Sequence, residues 1–132
     1  MAEPRAKRFE HEVELHRDGR FGADGEMVEV PENWTPEDSV LAGLLDCSLT
    51  SLRYHALRYG ISVDAEGSAH GEITKRADGR YGFVEIDVHF NVSFAPRPSE
   101  QEIGELFAKA ERDCFVGASL TPAPVYTWNV VE

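Results

Sequence analysis

The stretch from Thr35 to Tyr59 constrains the fold more than any other part of this 132-residue chain. Thr35 can cap a helix and Pro36 suits the first helical position. Glu37 and Asp38 place negative charge in the first turn, where the helix dipole favours it. From Val40 to Leu49, apolar or small residues fall on every side rather than in one stripe, which is the pattern of a buried helix. A helix from Pro36 to Tyr59 is about 36 Å long, enough to cross a domain of this size. Gly60 follows as a suitable C′ residue. Cys47, one of the chain's two cysteines, lies mid-helix. Either its sulfur is packing or it is chemistry.

Ahead of the helix, Met1 to Arg8 reads as a loose start. From Phe9 to Leu15 the chain alternates, with Phe9, His11, Val13 and Leu15 on one face and glutamates on the other, so a half-buried strand is expected. Asp18-Gly19 and Asp24-Gly25 are turn signals, with short strands expected over Arg20 to Gly22 and Glu26 to Val30. This is an antiparallel meander with Arg17 at its first turn. Beyond the helix, strand character resumes at Ile61 and runs toward Thr74, with a hairpin around Asp78-Gly79. The strongest strand follows. Gly82, Val84, Ile86, Val88, Phe90, Val92 and Phe94 alternate with Phe83, Glu85, Asp87, His89, Asn91 and Ser93. Ala95 to Pro98 breaks it, and Ser99 with Glu102 forms a capping box. An apolar stripe of Ile103, Leu106, Phe107 and Ala110 then runs to about Asp113, just before Cys114. Val125 to Val131 closes the chain as a strand. The order predicts a single α+β domain over residues 1–132.

Composition narrows the function. Twenty-four acidic residues against 13 basic ones give a net charge of −11, which repels phosphate backbones and anionic lipid. Nucleic-acid and membrane-surface roles are not expected. No apolar run follows Met1, so neither a secretory signal nor a membrane span is expected, and the expected compartment is the cytosol. Thiols stay reduced there, which leaves two cysteines as buried small hydrophobes or as a redox pair. An apolar surround raises a thiol pKa, mid-helix placement gains nothing from the helix N-terminus, and Asp46 pushes the same unfavourable way. A reactive Cys47 therefore needs an outside cation.

Several motifs together carry a resemblance. Asn33-Trp34-Thr35-Pro36-Glu37 through Leu44-Leu45-Asp46-Cys47, continuing through Leu49 to Ile61, resembles the long central helix of the OsmC/Ohr family of organic hydroperoxide reductases. Ala110-Glu111-Arg112-Asp113-Cys114 is similar to that family's second cysteine block. Arg17-Asp18-Gly19-Arg20 resembles the first turn of its Ohr branch. The resemblance runs from about Phe9 to Val131. Phe115 stands where the family usually has proline, and Asp46 where it more often has a small residue.

The resemblance implies an OsmC-like fold and a thiol peroxidase that needs no cofactor and reduces organic hydroperoxides to alcohols. Cys47 would be the attacking thiolate, leaving as a sulfenic acid, and Cys114 would resolve it to a disulfide that an external dithiol reduces. Arg17 matches the arginine that stabilises the thiolate and orients the peroxide, and Glu37 matches the carboxylate that holds that arginine. Arg20 stands at the same turn, but Arg17 occupies the family position. Leu44 and Leu45 would line an apolar pocket at the thiol.

Glu37 and Cys47 lie ten positions apart, or about 15 Å along one helix, too far for one site. They meet only if two copies of the helix cross antiparallel near the small residues Ala42 and Gly43. That predicts an intertwined homodimer with shared active sites. The five histidines make no metal-ligand spacing, and no metal is expected. No phosphate loop or nucleophile elbow appears. The rival reading is a non-catalytic dimer of the same fold, binding a small molecule or acting structurally, with inert thiols.

Overall fold

A computed structural model of the protein describes residues 6–131. It divides into two compact units at the Thr35–Pro36 junction. The N-terminal unit is a three-stranded antiparallel meander of β1 (Glu14–Leu15), β2 (Phe21–Ala23) and β3 (Glu26–Val28). Asp24 and Gly25, both at positive φ, are the whole loop between Ala23 and its partner Glu26, a two-residue turn that matches strand twist. At the first turn Asp18 accepts the Arg20 backbone N–H at 3.0 Å, and Gly19 takes the left-handed conformation. The half-buried strand expected over Phe9 to Leu15 shrinks to two residues, and Phe9, Val13 and Leu15 are all exposed. The reason is physical: strands of two and three residues make too little sheet to bury a full apolar face. An open hollow of about 1160 Å³ lies along that segment, between Phe9–Glu14 and Gly22–Met27. Of the loose start, Met1 to Arg5 lies outside the described residues, and Ala6 to Arg8 has no regular structure.

The second unit carries helix α1 (Pro36–Leu57), then β4 (Ser62–Lys75), β5 (Tyr81–Ala95), α2 (Glu100–Arg112), the one-turn α3 (Phe115–Ala118) and β6 (Val125–Val130). The sheet order is β4-β5-β6. β4 and β5 form a long antiparallel hairpin, and β6 returns through α2 to pair with β5 in parallel. α1 stops two residues short of Tyr59. Gly60, at φ +71°, donates to Leu57 O at 2.9 Å while Ile61 N–H reaches back to Ala56 O at 3.1 Å. This paired closure satisfies the last carbonyls and turns the chain into β4. Ser99 and Glu102 make both hydrogen bonds of the expected capping box.

The core lies between one face of the sheet and the helices. Ile86, Val88, Phe90, Val92 and Phe94 of β5 meet Leu44, Leu52 and Ala56 of α1 and Ile103, Leu106 and Ala110 of α2. Within the chain α1 is buried along one stripe (Leu44, Ser48, Ser51, Leu52, His55, Ala56), while Val40, Gly43, Asp46 and Thr50 stay open. The fully buried helix expected from the sequence is thus half covered by its own chain, because the sheet meets one side of it. The β5 alternation also changes phase. A bulge pairs Glu72 with Glu85 but Ile73 with Phe83, so Val84 is the extra residue. Phe83 is thereby brought to the helix side, over Gly71 and beside Leu41. Among the described residues no helix is long and apolar enough to cross a membrane.

Candidate redox site

Cys47 sits at the edge of the buried stripe of α1. Ser48, one position on, points fully into the core in line with Leu44, Leu52 and Ala56, four residues apart each time. That phase leaves the Cys47 sulfur half-buried, at the border between core and surface. Cys114 comes from the turn between α2 and α3, in extended backbone, and is wholly sealed. Its sulfur accepts the Gly117 N–H at 3.4 Å. The Cys47 sulfur accepts the Val116 N–H at 3.5 Å, so the same turn of α3 holds both sulfurs. The two thiols lie close enough to interact directly, and neither is in a disulfide.

The electrostatics of Cys47 run in two directions. Burial pushes its pKa up, the Val116 N–H pulls it back, and the neighbouring Cys114 pushes it up again. The groups acting on it most strongly include no cation. A sulfur-side hydroxyl cluster completes the site. Ser48 Oγ donates to Leu44 O at 2.8 Å, stands 2.8 Å from the Tyr126 hydroxyl, and lies 3.5 Å from Cys114 Sγ. Burial raises the Tyr126 phenol well above its usual range. Tyr126 leads into a row of rings in which Trp128 stacks on Phe90 at 4.8 Å and on Phe107 at 4.7 Å, with its indole N–H on Glu111.

Asp113, next to Cys114 in sequence, ties the turn to α1. It accepts two hydrogen bonds from the Arg112 guanidinium and one of 2.7 Å with His55 Nε2. The Arg112 contact, with His55 adding to it, holds the Asp113 carboxyl down at about 2.

The structure therefore brings together Cys47 and Cys114. Glu37 is exposed in the first turn of α1, far along the helix from Cys47 in the same chain. Leu44, expected to line a pocket, is sealed in the core, and Leu45 is half-buried. Arg17 and Arg20 belong to the N-terminal unit. There Asp18 grips the Arg20 guanidinium at 2.8 Å, whereas Arg17 makes no ion pair among the described residues. Sequence reasoning missed Ser48 and Tyr126. Ser48 had a signal, a polar residue in phase with Leu44, Leu52 and Ala56. Tyr126 had only its place in a strand.

Three solved structures share this fold. An OsmC-like protein of unknown function from Vibrio cholerae is 17% identical, with a TM-score of 0.76 over 92% of this chain and 99% of that one. An OsmC-like protein from Mycoplasma pneumoniae is 20% identical, with a TM-score of 0.72 over 96% and 99%. An organic hydroperoxide resistance protein from Elizabethkingia anophelis, with thiocyanate bound, is 18% identical, with a TM-score of 0.68 over 96% and 98%. No curated protein matches the sequence. The family model for OsmC-like proteins matches residues 29–129, from the end of the meander to the last strand, and the chain belongs to that family.

Proposed function

We propose that this protein is a cysteine-based peroxidase that reduces organic hydroperoxides to alcohols in the cytoplasm, an antioxidant and stress-response role. Cys47 thiolate attacks the peroxide O–O bond, the alcohol leaves, and the sulfur is left as a sulfenic acid. Cys114 then displaces that hydroxyl to give a Cys47–Cys114 disulfide, which an external dithiol reduces. The observation that carries this reading is the pairing of two free thiols, distant in sequence, one at the surface edge and one sealed behind it. The edge sulfur can meet a substrate, and the sealed one can meet only its neighbour. The family match and the hydroperoxide-resistance names among similar structures support the choice of substrate.

A half-buried thiol with a raised pKa needs a permanent cation, and the guanidinium of Arg17 is assigned that role, with Glu37 holding it. Arg17 is favoured over Arg20 because Asp18 already occupies Arg20. Glu37 would act from the second copy of a homodimer in which two α1 helices cross at Gly43. An added side chain there would meet nothing within 4 Å in its own chain.

The test is mass spectrometry after one equivalent of an alkyl hydroperoxide, with turnover followed under a dithiol reductant. Wild type should form the Cys47–Cys114 disulfide. Cys47→Ser should abolish peroxide consumption, and Cys114→Ser should complete a first turnover and then stop recycling. Unchanged activity in Cys47→Ser would end the mechanism. A second reading, an inert OsmC-like dimer that binds a small molecule or acts structurally, is favoured by the burial that raises the Cys47 pKa and by Phe115 after Cys114. It expects an alkaline Cys47 and no disulfide under the same treatment.

A further inference from the structure

On the peroxidase reading above, resolution of the sulfenic acid forces the Cys114 thiol to lose a proton. The Cys47–Cys114 S–S bond forms, the S–O bond of the sulfenic acid breaks, and the leaving hydroxide and a proton end as water. The hydroxide departs from the side of Cys47 opposite the incoming sulfur, so the thiol proton cannot pass straight to it. Nor does water reach Cys114, which is 0% exposed. The proton needs a carrier made of protein.

The groups around Cys114 Sγ differ sharply in what they can do. Gly117 N–H faces the sulfur at 3.4 Å, but an amide N–H only donates. The hydroxyl acceptor at this sulfur, among the described residues, is Ser48 Oγ, 3.5 Å away, and the Tyr126 hydroxyl lies 2.8 Å beyond it. Ser48 spends its own proton on Leu44 O and so offers lone pairs to both neighbours. Ser48 is as sealed as Cys114, whereas Tyr126 is half-buried. The pair therefore leads from a closed sulfur to the hydroxyl of a side chain that is itself only half-buried. Gly117 leaves room for it, because a Cβ there would meet the Tyr126 hydroxyl at 3.3 Å and Cys114 Sγ at 3.4 Å.

We infer that the Ser48 and Tyr126 hydroxyls form a proton relay that carries the Cys114 thiol proton out of the core as the disulfide closes. Cys114 S–H passes its proton to Ser48 Oγ, Ser48 passes its own to Tyr126, and Tyr126 releases one to water. Each hydroxyl gains one proton and loses one, so neither ends charged. The rearrangement asks only that two hydroxyl protons turn.

The experiment follows the closure step by stopped flow in the full chain, comparing wild type with Ser48→Ala and Tyr126→Phe in H₂O and D₂O. Cys47 is made electrophilic in two ways. An alkyl hydroperoxide gives the sulfenic acid. An aromatic disulfide, dithiobis-nitrobenzoate, gives a mixed disulfide from which Cys114 expels a coloured thiolate with no peroxide involved. Both variants should close about 100-fold more slowly by either route, the loss typical of a missing acid–base group. Sulfenic acid should accumulate where wild type passes on to disulfide. Wild type should slow in D₂O, and the variants should lose that dependence, since closure then waits for water to enter. Wild-type rates in both variants would overturn the relay, as would slowed variants that keep the full solvent isotope effect. If hydroperoxide yields no sulfenic acid but the mixed-disulfide route shows the predicted losses, the peroxidase reading fails and the relay stands.

Discussion

At the residue scale, the proposed thiol chemistry turns on which charge reaches Cys47. Its own surroundings work against ionisation, burial first and then Cys114. Arg17→Gln should therefore cut peroxide reduction about 100-fold and move the Cys47 pKa upward, the size of effect seen when a donor to a developing charge is removed. Arg20→Gln should change the rate little, because Asp18 already holds that guanidinium. Rapid-quench kinetics with thiol titration separate the two, and equal losses would remove Arg17 from its role. Asp113 makes a second prediction, about stability. Its folded pKa of about 2 lies below the ordinary value of about 3.9. A carboxyl depressed in this way adds stability that is complete above the ordinary value and is lost as pH falls through the folded one. Wild type should thus lose stability between about pH 4 and pH 2 more steeply than Asp113→Asn. Urea midpoints should differ at pH 7 and converge near pH 2, and parallel pH curves would contradict the pairing. The two cysteines were legible in the sequence through their motifs. The hydroxyls and His55 were not, because a serine, a tyrosine and a histidine acquire meaning only from what packs against them.

At the element scale, local rules succeeded where local chemistry decides and failed where packing does. Gly60 and Ser99 end and begin their helices as their residue types require. Replacing Ser99 by Ala should cost about 1 kcal/mol in denaturant unfolding, through loss of the hydroxyl that accepts the Glu102 N–H, while the backbone N–H of residue 99 can still donate to Glu102. The β5 alternation was read correctly from Ile86 to Phe94, then lost phase at Val84, since a bulge is a property of two paired strands and not of one. Gly67 shows the same dependence. A Cβ there would meet the His89 backbone oxygen at 2.5 Å and the Phe90 ring at 2.7 Å. Gly67→Ala should cost about 1–3 kcal/mol, because a backbone oxygen cannot swing aside. A urea midpoint equal to wild type would show that the hairpin gives way more easily than this spacing implies. The first strand was overestimated for a related reason. Phe9, Val13 and Leu15 alternate as a half-buried strand should, but their own unit has no second layer to cover them.

At the scale of the molecule, the proposed dimer is the largest step from one chain to a working protein. Light scattering should give about twice the 14.7 kDa chain mass at micromolar concentration. Gly43→Leu should shift it toward the monomer and lower activity with it. A dimer that survives this substitution unchanged would place the helix crossing elsewhere. The sequence by itself determined the long helix and, within two residues, its ends, the order of the elements along the chain, the family and the two sulfurs, because capping, turn chemistry and periodicity are written within a few residues of where they act. Tertiary structure alone decided which stripe of α1 faces the sheet, that Cys114 is sealed while Cys47 reaches the edge, and that Ser48 and Tyr126 meet at the buried sulfur. Those outcomes depend on pairing between segments more than 60 positions apart, and no local pattern encodes the phase at which two such segments come together.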